Sequence, residues 1–166
     1  MRIQCHLTFG FLLLATIGCF AQSSQVQKDP GHVAVMPDQI QWVPAAPPLP
    51  AGAQVAVLDG DSSKAGAQYS IAVKMPSGYQ IPPHWHPMDA SVVVAKGTFV
   101  MGLGDKFDKA KGHDLPAGSF MRMSKGVRHF EWTKGETVIY VYGTGPLDTI
   151  YVNPSDDPRT KSTSKK

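Results

Sequence analysis

Cysteine is nearly absent. The 166-residue chain holds two, Cys5 and Cys19, both in the first twenty positions. That segment reads as a secretory signal. Arg2 is the only charge before Lys28, and Leu7 to Phe20 is apolar apart from small residues and threonines. Cys19-Phe20-Ala21 forms a peptidase site, with Gln22 the first mature residue. The apolar run is shorter than the ~20 residues that span a bilayer, so the mature chain is expected to have no transmembrane span and to be periplasmic or secreted. Gly18-Cys19 would suit lipid attachment, but Thr16 stands where such sites carry leucine, so anchoring at Cys19 is not expected. Cleavage after Ala21 leaves neither thiol nor disulfide. An exported chain of this kind depends on its core. It can ligate metals only through imidazole and carboxylate.

Charge is scarce as well, at 17% of residues. The net charge of +3 comes from the ends: Arg2 leaves with the signal, and Arg159, Lys161, Lys165 and Lys166 lie in a C-terminal tail. No basic stripe interleaves with aromatics, which leaves nucleic-acid binding without support. Helical apolar periodicity is missing outside the N-terminus, which argues against a helical domain.

Glycine (16) and proline (14) are plentiful and spread as single residues and pairs, the distribution of an all-β chain with many turns. Residues 22–39 are polar and read as a flexible leader. Pro44 to Pro50 holds four prolines, so it reads as a strap across a barrel, or else a docking peptide, and not as a central strand. Strand signals recur over Gln54–Leu58, Tyr69–Met75, Ala90–Ala95, Thr98–Leu103, Ser119–Met123, His129–Thr133, Thr137–Tyr142 and Leu147–Val152. Lys96-Gly97 and Lys134-Gly135 read as hairpin turns, and Gly104 to Gly112 as a charged loop. About eight or nine short strands predict one jelly roll or small barrel over 40–155. The expected divisions are a signal (1–21), the leader (22–39), that barrel, and a disordered basic tail (156–166).

His84-Trp85-His86 is the informative pair. Residues i and i+2 of a strand face the same side, so both imidazoles can grip one ion while Trp85 points away. Pro82, Pro83 and Pro87 stiffen the flanks. Two histidines at this spacing can equally be a solvated surface pair. The wider spacing carries more. Gly78, His84, His86 and Gly97 form one unit, and Gly118, Ser124-Lys125-Gly126 and His129 form a second.

These units resemble the paired motifs of the cupin superfamily, G-x5-H-x-H-x3-E-x6-G and G-x5-P-x-G-x2-H-x3-N. The likeness covers about Gln54 to Val152. It is nearest to small single-domain bacterial cupins akin to the ChrR-type anti-sigma-factor domain. It implies a double-stranded β-helix (jelly-roll barrel) with His84, His86 and His129 on one divalent ion, whether Zn, Fe, Mn, Ni or Cu. It further implies a small-molecule ligand and a homodimer paired through sheet edges, which would protect those edges. Ala90 stands where the first motif has its glutamate ligand, while Ser124 and Thr133 replace the proline and asparagine of the second. Asp89, next to the missing ligand, should point the other way. Glu131, two residues after His129, shares its face on a continuous strand and is a candidate ligand, hydrogen-bond acceptor or base. A local bulge would instead turn it outward. His113 reads as a surface residue. Three functions follow: a metal-dependent enzyme (dioxygenase, isomerase or lyase type), a non-catalytic metal or ligand sensor, and a degenerate binding module. Neutral imidazole is needed for ligation, so metal affinity is expected to fall below about pH 6.5.

Overall fold

The computed structural model describes the backbone of residues 27–29 and 31–162, and side chains from 31 to 160. The expected signal over 1–21, both cysteines, and the last four tail residues lie outside the described residues. Among the described residues no helix is long and apolar enough to cross a membrane.

The strands are β1 (Gln27–Asp29), β2 (His32–Ala34), β3 (Val43–Pro44), β4 (Gln54–Gly60), β5 (Gln68–Met75), β6 (Gln80–Trp85), β7 (Ala90–Leu103), β8 (Gly112–Pro116), β9 (Phe120–Met123), β10 (His129–Thr144) and β11 (Ile150–Tyr151). β1 and β2 form a separate antiparallel pair. The others form a nine-stranded sheet in the order β11-β6-β10-β5-β4-β3, with β7 joined to β10 and carrying β8 and β9. Every pairing is antiparallel. The curled antiparallel sheet is the all-β barrel expected from the turn spacing.

Two expected turns are not turns. β7 runs unbroken through Lys96-Gly97, and β10 through Lys134-Gly135. The glycines have φ of +79° and +84° and lie where the β7–β10 register shifts. A left-handed residue opposite a bulge bends a strand without reversing it. Both strands therefore bend at one level. The first half of β10 pairs with β6 and the second with β5. That bend closes the sheet over a core of Tyr69, Ile71, Val73 and Met75 from β5, Val92 and Val94 from β7, and Ile139 and Val141 from β10. The alternate positions follow the two-residue period of a half-buried strand.

The outer side of β10 is covered as well. Phe130 and Trp132 lie 6.2 Å apart with nearly parallel rings, and Phe107 of the charged loop packs on both at 5.0 and 5.5 Å. Trp132 lies so close over Gly112 that a Cβ there would come within 2.0 Å of the ring. The proline strap is tied down by two tyrosines. Tyr79 Oη donates to the Pro50 carbonyl at 2.5 Å and Tyr151 Oη to that of Pro48 at 2.7 Å.

The chain ends are more ordered than their composition suggests. The segment read as a leader contains the β1–β2 pair and a 3-10 turn at Pro37–Gln39. The segment read as a disordered tail, 156–166, opens at the last residue of a 3-10 turn, Pro154–Asp156, and holds the short helix α1, Pro158–Ser162. Arg159 accounts for part of this order, because its guanidinium bonds Asp148 and Asp157 at once.

The bend can be tested directly. A Cβ at Gly97 would meet the Glu136 carbonyl at 2.4 Å, in a left-handed conformation. Gly97→Ala is expected to lower unfolding free energy by on the order of 3 kcal/mol. A change below about 1 kcal/mol in urea denaturation would show that closure does not depend on this residue.

Candidate metal centre

His84 lies on β6, opposite His129 at the start of β10, and His86 follows the end of β6. Pairing of the two strands brings both motif units to one place. The ring centroids are 4.2 Å apart for His84–His129, 5.0 Å for His84–His86 and 5.1 Å for His86–His129. Each residue offers one ring nitrogen, and the three lie within 4.8 Å of one another. His84 and His129 are buried and His86 is partly so.

All three rings are held in the same way. Nδ1 of His84 meets the Pro82 carbonyl at 2.8 Å, that of His129 the Val127 carbonyl at 2.9 Å, and that of His86 the Asp148 carbonyl at 2.7 Å. A carbonyl can only accept, so each Nδ1 carries the proton and each Nε2 presents a lone pair. Histidine ligands of metals are typically fixed in this manner. Among the described residues, the buried side-chain polar atom with no hydrogen-bond partner is His129 Nε2. Such an atom is costly and calls for a partner. A divalent ion, which takes imidazole lone pairs, fits the donor set.

Glu131 also faces inward. The β6–β10 register does shift between His129 and Glu131, yet Glu131 is buried and lines the same cavity. Its Oε1 is 3.5 Å from His129 Nε2 and its Oε2 is 4.0 Å from His84 Nε2. Ala90 is buried on β7 and lines the cavity too. His113 lies exposed on β8. Asp89 bonds Arg122 and the Lys125 amide, away from the cluster.

The cavity has a volume of about 270 Å³. Ile71, Val73, Val92, Met121, Met123 and Ile139 form much of its wall, and Ala45 to Leu49 of the strap contribute another part. The histidines and Glu131 make its polar patch. Ring supports were not evident from the sequence. Pro82, Val127 and Asp148 act through backbone carbonyls, which any residue type supplies. Asp148 is held in turn by Arg159 at 3.0 Å, and Arg159 also donates to the Thr149 carbonyl.

Burial sets the protonation states. It pushes His129 down to about 4. It holds His84 well below the usual histidine range, reinforced by the neighbouring charges of His129 and His86. It lowers His86, against the opposing pull of the Asp148 carbonyl. It raises Glu131 to about 8. The metal-free centre near neutrality thus holds three neutral rings and a protonated carboxyl.

The comparisons agree with this architecture. Barrel and site together define a cupin. The model of the ChrR cupin-like domain matches residues 30–148. The chain belongs to that family. Among solved structures, the polyketide cyclase RemF from Streptomyces resistomycificus is 15% identical, with 81% of this chain and 94% of that one covered and a TM-score of 0.63. A putative acetylacetone dioxygenase from Methylibium petroleiphilum is 20% identical, with 81% and 90% covered and a TM-score of 0.58. An RmlC-like cupin from Ralstonia eutropha is 18% identical, with 75% and 74% covered and a TM-score of 0.57. These likenesses establish the fold. No curated protein matches the chain in sequence.

The pH dependence of the metal-free protein follows from linkage. Between about pH 6.5 and 4 the unfolded histidines bind protons that the folded ones refuse, so stability falls as pH drops. Between about pH 4.5 and 8 the folded Glu131 keeps a proton that the unfolded one releases, so stability falls as pH rises. Three rings outweigh one carboxyl below about pH 6.5, which places the maximum near that value. The alkaline decline from there to pH 8 is shallow, because protons still leaving the unfolded histidines offset much of the Glu131 contribution. Urea midpoints of chelator-treated protein should trace this dome, and Glu131→Gln should remove its alkaline decline and steepen its acid limb down to about pH 4.5. An unchanged alkaline slope in the variant would contradict the assignment.

Proposed function

We propose that this cupin binds one divalent metal ion through the Nε2 atoms of His84, His86 and His129, and acts on a small, largely apolar molecule in the adjoining cavity. The observation that carries this reading is the uniform presentation of the rings. All three give Nδ1–H to a backbone carbonyl, and the opposite lone pairs converge. A chance cluster of core histidines would not need one tautomer throughout.

The bound ion would supply Lewis acidity toward a carbonyl, hydroxyl or other oxygen of the ligand. The chain's own residues define the rest. The aliphatic and methionine wall favours an uncharged body, and the polar patch at one side orients the end that carries oxygen. The strap and the Leu147–Thr149 segment, both part of the lining, limit access of water. Acetylacetone and polyketides, named for two fold relatives, are molecules of this general kind, but the cavity wall is the support for the class.

A second reading is binding without turnover, as in a sensor. Ala90 favours it, because the motif carboxylate is missing from β7. Dioxygen uptake and product analysis with small diketones, catechols and flavonols would separate the two.

The metal itself is tested first. Protein purified without chelator should hold close to one equivalent of Zn, Fe, Mn, Ni or Cu. His84→Ala should weaken binding by at least about 100-fold, since losing even an outer support of a ligand costs ~10–100-fold. Because burial lowers all three histidines, half of the metal should be retained below pH 6.5, the midpoint expected for ordinary imidazoles. Metal-free protein whose stability is unaffected by added Zn(II) would refute the reading.

A further inference from the structure

The carboxylate missing at Ala90 has a counterpart on another strand. Ala90 on β7 is 3% exposed and puts only a methyl group into the cavity wall. Glu131 on β10 is 6% exposed and reaches the cluster from a different side. Its recorded polar neighbours are the ring nitrogens of His129 and His84, at 3.5 and 4.0 Å. Both nitrogens are acceptors, because their rings carry the proton on Nδ1. An ionised carboxylate is an acceptor as well. Even a protonated Glu131, with its single O–H, leaves at least one of these nitrogens without a donor, and an ionised one leaves three acceptors that repel one another. A cation among them reverses the sign of every contact. The 3.5 Å separation from His129 matches that of neighbouring ligands on one ion, roughly 3–3.5 Å for bonds of ~2.1 Å, and the 4.0 Å one from His84 is wider.

We propose that Glu131 is the carboxylate ligand of this metal centre, taking from β10 the role that Ala90 cannot fill on β7. The inference rests on the three-histidine reading and extends it. Three neutral imidazoles leave a divalent site at +2, and a glutamate ligand brings it to +1. The relocation leaves the β7 side of the centre lined by a methyl group, which gives an apolar ligand direct access there. It also places two ligands, His129 and Glu131, on one strand at i and i+2, repeating the His84–His86 spacing. The shift in the β6–β10 register between the two residues adapts their approach.

The test uses the full chain loaded with Co(II) or Zn(II). Affinity is read by chelator competition, and coordination by the visible spectrum of the Co(II) form. Glu131→Gln keeps shape and burial but removes the charge. It should weaken Zn(II) binding by roughly 10–100-fold and shift the Co(II) bands. Adding Ala90→Glu to Glu131→Gln returns a carboxylate from β7 and should recover at least ten-fold of the loss. A purely structural role for Glu131 would not be repaired from another strand. Glu131→Gln with wild-type affinity and an unaltered Co(II) spectrum would overturn the proposal, even if turnover were lost, because that result assigns Glu131 to proton handling. Wild-type protein that fails to take up either ion would instead defeat the three-histidine reading.

Discussion

The structure depends on one strand serving two faces. β10 sends His129 and Glu131 into the barrel and Phe130 and Trp132 to the outside, where Phe107 covers them. A two-residue period makes this obligatory: a one-residue slip would bury the aromatics against the cavity and expose the polar pair. Aromatic burial on the outer face thus fixes the register on which the metal centre depends. Gly97 and Gly135 keep the strand in both halves of the barrel by letting it bend with its partner. Without the bend, β10 could not join both β6 and β5.

Such a centre works against folding when it holds no cation. Buried imidazoles stay neutral, and a buried carboxyl keeps its proton, because an unpaired charge in this environment costs several kcal/mol. A bound cation would offset that cost through its own charge. The three carbonyls behind the rings do not neutralise anything. They select which nitrogen carries the proton, and so decide that the cluster faces a ligand with lone pairs instead of N–H groups. Selecting a tautomer before binding removes a reorganisation step from metal capture.

Much of this was legible in the sequence. The His-x-His spacing, the distant His129 and the flanking glycines located the cluster, because strand period and turn residues act locally. The all-β class followed from proline and glycine distribution for the same reason. The bends were misread as turns. A lysine-glycine pair supports either, and only pairing with a facing strand decides. The inward direction of Glu131 followed from the two-residue alternation with His129, and the register shift between them did not turn it outward. The carbonyls of Pro82, Val127 and Asp148 could not be read, since a backbone acceptor leaves no mark on residue identity. The tail was read as disordered from its composition. Arg159 orders it through Asp148, a partner eleven residues away that spacing alone does not suggest.

That last contact links the chain's end to its centre. Asp148 gives its carbonyl to His86 and its carboxylate to Arg159. His86 is the least buried of the three rings and lies beyond the last residue of β6. The sheet ladder therefore holds it less firmly than His84 or His129, and a hydrogen bond from outside the barrel has more to contribute. The family match covers residues 30–148, and Arg159 lies beyond it, after β11. Arg159 thus steadies, through Asp148, one of the three rings of the candidate centre. The chain's departure from the motif, a methyl at position 90, lines the same cavity as Asp148 and Glu131. Both features bear on the same property: how openly the histidine cluster faces its apolar cavity. Ala90 keeps its stretch of the cavity wall apolar, while the three histidines and Glu131 gather the polar groups into one patch.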